Sequence, residues 1–140
     1  MRLVVDTDVV AAALLREAGT GDEAARLLAG RREILAPAHW KAELCNVVWK
    51  AVRLGRLPAE NADEVLSLAE ALPITSVEVA QLWRGAVARS VRADHPAYDT
   101  LFVELAVRVG APVASYDRQL RRRFPSHVRL PRDLLADDEP

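Results

Sequence analysis

Cysteine is almost absent from this chain. Cys45 stands alone, so no internal disulfide can form, and a reducing, cytoplasmic setting is expected. Long apolar runs are absent too. Nowhere do about 18 apolar residues follow one another, which leaves no candidate for a membrane-spanning helix. The first residues do not read as a signal peptide, because Asp6 and Asp8 break the apolar stretch before a secretory core can form. Charge of one sign is lacking as well: 19 Lys and Arg stand against 20 Asp and Glu, a formal net charge of −1. That argues against coating a nucleic acid or an anionic membrane by bulk charge, but leaves room for a local basic patch. Lysine itself is scarce, with only Lys41 and Lys50 among the cations. No internal repeat, low-complexity segment or linker breaks the chain.

What is present is a chain of ordinary globular composition, 140 residues long and 51% hydrophobic. That is one domain's length, and enough to bury roughly 68–70% of the unfolded surface without staples. A single domain is expected over residues 1–135, with "ADDEP" at 136–140 as a frayed tail. Short β-branched or apolar runs at 3–5, 33–36, 73–75, 112–115 and 128–130 read as strands. Between them lie helical patterns at about 8–15, 22–30, 39–54, 58–72, 78–91, 96–110 and 117–123, punctuated by Gly30, Gly55, Pro58, Pro96 and Gly110. No strand alternates cleanly between apolar and polar residues. The expectation is therefore a three-layer α/β/α sandwich around a central parallel sheet of about four or five strands.

Ligands of such sheets sit beyond the carboxyl ends of the strands. Two acids fall there: Asp6, after Leu3-Val4-Val5, and Asp117, just past Val113-Ala114-Ser115. Either can equally serve as a helix N-cap. Glu43 lies early in the 39–54 helix, with Asn46 and Lys50 on the same face, and Asp99 lies in the first turn of the 96–110 helix. All four acids border core-forming segments. Carboxylates gathered in one place repel each other, so burying them together requires a compensating cation. Oxygen ligands select a hard ion, Mg²⁺ or Mn²⁺, and such ions serve phosphoryl chemistry. His39, His95 and His127 have no spacing suited to zinc.

With these motifs in place, the chain resembles the PIN-domain ribonucleases, and among them the VapC-type toxins of type II toxin–antitoxin pairs. The resemblance runs over "VVDTD", over "PAHWKAELCNVVWKAVRLGRL" and over "PAYDTLFVELAVRVGAPVASYDRQL", in that order. It implies a hydrolase that cuts RNA with Mg²⁺ or Mn²⁺, using Asp6, Glu43, Asp99 and Asp117 as catalytic metal ligands. Asn46 and Ser115 match supporting positions of the family. Asp8 departs from it, standing where a small hydroxyl or amide is usual. It either adds a metal contact through water or, with Thr7, caps the first helix. The resemblance also implies a VapB-like antitoxin and a homodimer as partners.

Other features leave choices open. Arg118, Arg121, Arg122 and Arg123 follow Asp117 directly. They read either as a solvated helix face or as contacts to RNA phosphates or an acidic partner. Leu27, Leu28, Val65, Leu66, Leu68, Trp40, Trp49 and Trp83 are expected mostly in the core, with the remainder forming a groove or a dimer face. The opening Asp6-x-Asp8 also fits a haloacid-dehalogenase-type phosphatase, but no lysine follows Lys50 to steady a phosphoryl group. A PIN-like binding module that has lost cleavage is the non-enzymatic alternative.

Overall fold

The computed structural model describes residues 1–140, and its centre is a sheet of five strands. These are β1 (Arg2–Val5), β2 (Glu33–Pro37), β3 (Ile74–Val77), β4 (Val113–Ala114) and β5 (Val128–Arg129). They lie in the order β3-β2-β1-β4-β5, and every pair is parallel. β1 is the central strand. Its Leu3, Val4 and Val5 have no exposed surface, as a strand covered on both faces requires. Val4 faces Leu35 of β2 on one side and Val113 of β4 on the other.

Eight α-helices cover the sheet: α1 (Thr7–Leu14), α2 (Gly21–Leu28), α3 (Trp40–Arg53), α4 (Ala62–Ala71), α5 (Trp83–Ala93), α6 (Ala97–Val109), α7 (Arg118–Arg123) and α8 (Pro131–Asp137). The result is the expected three-layer α/β/α sandwich. α6 packs against β1, β2 and β4 and carries α5 on its outer side. Thr100 through Ala106 of α6 are therefore buried on nearly every side of the helix. α1 packs against α2, α3 and α4, and α8 closes against α2.

Some boundaries differ from the sequence expectation for local reasons. Pro58 does not open α4. It is extended and precedes a 3-10 turn at Ala59–Asn61, after which α4 begins. Likewise Glu78 is extended and Val79–Gln81 form a 3-10 turn, so α5 starts at Trp83. Helix α8 is an addition to the expected elements. Pro131 occupies its first turn, a favoured place for proline. The helix runs to Asp137, and Arg32 donates to Asp138 at 2.7 Å.

The large apolar side chains divide. Leu27, Leu28, Val65 and Trp40 are buried, the last donating its indole N–H to Ser76 Oγ at 2.9 Å. Trp49, Trp83 and Leu68 are exposed.

Candidate active site

The strand order places a topological switch at the centre of the sheet. From β1 the chain moves outward through β2 and β3, then returns to β4 on the other side of β1. Crevices form where the connections part in this way, beyond the strands' carboxyl ends. Asp6 follows β1, and Ser115 and Asp117 follow β4. The two ends are tied by Asp6 N–H donating to the Ala114 carbonyl at 2.9 Å.

Asp6 is the N-cap of α1, and its Oδ1 accepts from Thr7 N–H at 2.8 Å. Its Oδ2 accepts from Ser115 Oγ at 2.7 Å. Ser115 Oγ in turn accepts from Asp117 N–H at 3.0 Å. One fully buried hydroxyl thus connects the first and last acids of the sequence motif. Asp117 caps α7, its Oδ1 accepting from Leu120 N–H at 3.1 Å.

α3 and α6 bring in the other two acids from either side. Thr7 Oγ1 donates to Glu43 Oε1 at 2.7 Å, so α1 positions the acid of α3. His95 Nε2 lies 2.8 Å from Asp99 Oδ2; with a carboxylate as acceptor, that nitrogen carries the hydrogen. His39 Nε2 lies 2.9 Å from the Tyr98 carbonyl, which can only accept, so this nitrogen is also the donor. The same nitrogen is 3.5 Å from Glu43 Oε1. His39 therefore joins the start of α3 to the start of α6, next to both acids.

The carboxyls lie near enough to raise one another's pKa. Burial holds the Asp6 carboxyl well above the ordinary carboxylate range, and the negative charges of Asp8, Asp99 and Glu43 push it further. The Ser115 hydrogen bond opposes this. Glu43 is raised by burial and by Asp99, against the pull of Thr7 and His39. Asp8 is pushed up to about 7, by burial first and then by Asp117, against hydrogen bonds from Tyr116 N–H, Ser115 and Val9 N–H.

Asp8 does not cap α1, contrary to one of the two roles read for it. That place belongs to Asp6, while Asp8 Oδ2 accepts from Tyr116 N–H at 3.1 Å, in the loop after β4. Its Oδ1 is buried with no hydrogen-bond partner. Mutually repelling acids, an orphaned buried carboxylate oxygen and a donor set made of oxygen all fit a hard divalent cation. No three His, Cys, Asp or Glu side chains converge closely enough to form a direct ligand cage. Mg²⁺ keeps several waters and links to carboxylates through them, so direct convergence is not required.

Not every expected residue joins the cluster. Asn46 is exposed along α3 and makes no hydrogen bond to the acids. Lys50 lines a groove of about 550 Å³ with Leu15, Val47, Ala51 and Leu54. Arg118, Arg122 and Arg123 are exposed on α7, and Arg121 donates to the Ser115 carbonyl at 3.3 Å. Thr7, His39 and His95 are site residues that the sequence pattern does not single out. Thr7 lies in plain view between two acids, but the two histidines reveal their role only through their folded partners.

The profile described as PIN domain matches residues 3–123, and so spans the whole acid cluster. The chain belongs to the PIN-domain family. Among curated relatives, ribonuclease VapC3 of Pyrobaculum aerophilum is 30% identical over 132 residues, covering 91% of this chain and 98% of that one. Ribonuclease VapC3 of Mycobacterium tuberculosis is 32% identical over 127 residues, 89% of each chain. Solved structures share the fold at lower identity. The PAE2754 protein of Pyrobaculum aerophilum superposes with a TM-score of 0.69 at 18% identity, over 98% of this chain and 94% of that one. The VapC20 toxin of Mycobacterium tuberculosis, which cleaves the sarcin–ricin loop, gives 0.67 at 19% identity, over 86% and 93%. The VapBC2 complex of Rickettsia felis, bound to a promoter DNA fragment, gives 0.66 at 14%, over 93% and 98%. Membership of the PIN-domain family accounts for Asp6 without the phosphatase reading.

Proposed function

We propose that this PIN-domain protein is a metal-dependent endoribonuclease, the toxin of a toxin–antitoxin pair acting in the cytoplasm. The observation that carries the reading is the gathering of Asp6, Glu43 and Asp99, with Asp117 linked through Ser115, at the sheet's switch point. Asp6, Glu43 and Asp99 would hold Mg²⁺ or Mn²⁺, directly or through water, and Asp117 would hold a second ion or orient the attacking water. When bound, the cation supplies charge neutralisation and Lewis-acid activation at the phosphate.

The chain's own residues do the positioning. Ser115 and Thr7 N–H fix the two oxygens of Asp6, Thr7 Oγ1 fixes Glu43, and His95 fixes Asp99. Water enters in line with the scissile phosphodiester, and the products carry 5′-phosphate and 3′-hydroxyl ends. Asn46 is assigned a supporting place near Glu43 on α3. Arg118, Arg121 and Arg122 meet the phosphates of the RNA as it leaves the acid cluster over α7.

The groove of Leu15, Val47 and Leu54, rimmed by Glu17, Lys50 and Arg56, suits an amphipathic segment of a VapB-like antitoxin. Trp83, Val87 and Val91 form an exposed stripe at helical spacing along α5, and this stripe is assigned to the homodimer.

The test is digestion of RNA by the isolated chain with Mn²⁺, with EDTA, and with Asp6→Asn. Cleavage that needs the ion and is lost in the variant is the expected result. Equal cutting by wild type and Asp6→Asn would sink the assignment.

A further inference from the structure

A second feature lies on the other side of His95. A cleft of about 400 Å³ is lined by Asp94, His95, Pro96, Gln119, Arg122 and Arg123. Asp99 is not part of its wall. His95 holds Asp99 through Nε2, while its Nδ1 has no hydrogen-bond partner and is not sealed from solvent. The imidazole ring, edge-on to Phe124 at 6.2 Å, is thus a partition between the acid cluster and this cleft.

The lining is chemically narrow. It contains no hydrophobic side chain apart from Pro96, so it offers no seat for an apolar peptide side chain. Two guanidiniums outweigh one carboxylate. Neither guanidinium is in an ion pair, so both charges are free for a ligand. α7 carries four arginines in six residues; three of them lie in its last turn, where the helix dipole favours cations, and Arg122 and Arg123 are exposed beside the cleft.

We infer that this cleft is a phosphate subsite, in which Arg122, Arg123 and Gln119 hold the RNA backbone phosphate next to the one that is cut. The inference rests on the nuclease reading for the position of the scissile phosphate, but not for the binding itself. Gln119 is added by it to the RNA contacts, and His95 acquires a second task as the spacer between adjacent phosphates. The contact is to backbone, so it grips any sequence equally. Choice of RNA target must therefore be made elsewhere on the surface.

The experiment measures binding of a fluorescein-labelled single-stranded RNA in EDTA, where cleavage is silent, at several salt concentrations. The Arg122→Ala/Arg123→Ala double variant should bind roughly tenfold more weakly. Its plot of log affinity against log salt should be shallower by about 0.7 for each phosphate no longer neutralised. Arg2→Ala, at the far end of β1, should match wild type. A neutral methylphosphonate scanned along the RNA should weaken wild type at one linkage adjoining the cut, and the double variant should be indifferent there. Unchanged affinity and slope in the double variant would overturn the subsite. So would weaker binding with no linkage at which the variant turns indifferent. Equal RNA binding combined with failure to bind polyglutamate would assign the cleft to an acidic protein instead. If wild type fails to cut RNA with Mn²⁺, the nuclease reading falls, while the EDTA comparison still decides whether the cleft binds phosphate.

Discussion

Asp6 and Asp8 stand two residues apart and do different things. Asp6 uses one oxygen to cap α1 and the other to accept from Ser115, and it feels Asp99 and Glu43. Asp8 turns toward Tyr116 N–H and feels Asp117. Asp6→Asn is therefore expected to lower Mn²⁺-dependent RNA cleavage about 100-fold, as loss of the charge at the centre of the cluster should. Asp8→Ser should keep substantial activity, because it removes a charge that disfavours ionised Asp6. Comparing initial rates of the two variants checks both. Thr7→Val keeps the shape of the side chain but deletes the hydroxyl that orients Glu43. A fall in kcat of about tenfold, with the unfolding temperature little changed, is the expected signature of a positioning group. At this scale the acids are legible in the sequence, because an Asp between an apolar run and a helix start is conspicuous. His39 and His95 are not, because their value lies in contacts to Tyr98 and Asp99 that spacing for a zinc ligand does not describe.

The helices show where pattern and packing part. α3 can be read closely from its periodic face, α6 from Pro96 and Gly110 at its ends, and α7 from the Asp117 cap that follows β4. The starts of α4 and α5 cannot, since extended Pro58 and Glu78 each lead into a 3-10 turn whose bonds pattern alone does not distinguish from a first helical turn. The junction of α5 with α6 is the tightest feature among the elements. Glu104, accepting from Arg89 at 2.8 Å and Arg108 at 3.1 Å, lies directly over Gly85, and a Cβ at that position would overlap its carboxylate. Gly85→Ala forces the Glu104 carboxylate aside and strains its pairing with Arg89, against a helix-propensity gain of about 1 kcal/mol, so a small net destabilisation is expected. A lower urea midpoint with an unchanged m-value checks it.

For the whole molecule, the acid cluster makes stability depend on pH in an unusual direction. Asp8 titrates near 7 when folded, against 3.8 when free, and Asp6 and Glu43 are shifted upward too. The folded state therefore binds more protons than the unfolded state across this window, and stability falls as pH rises through it. Glu104 and Asp138 are shifted downward, so they remain ionised from pH 5.5 upward and do not oppose the trend. In EDTA the unfolding temperature should be lower at pH 8 than at pH 5.5, on the order of 5 °C. Mn²⁺ should reverse that drop at pH 8, by binding the folded state alone. A rise with pH in EDTA would contradict the clustering of charges. The overall architecture is legible from alternating segments lacking an in–out pattern; which acids pair closely is not, because that depends on strand order.

The join between β1 and β4 has one further consequence. Ser115 meets Asp6 across 109 residues of chain, so the two share that hydrogen bond only once β1 and β4 have paired. A growing or partly collapsed chain holds Asp6 and Glu43 but not their remaining partners. Cleaving power would then arrive in a single step, with completion of the sheet, and the cell would meet the activity only after the surfaces that an inhibitor could seize are already formed.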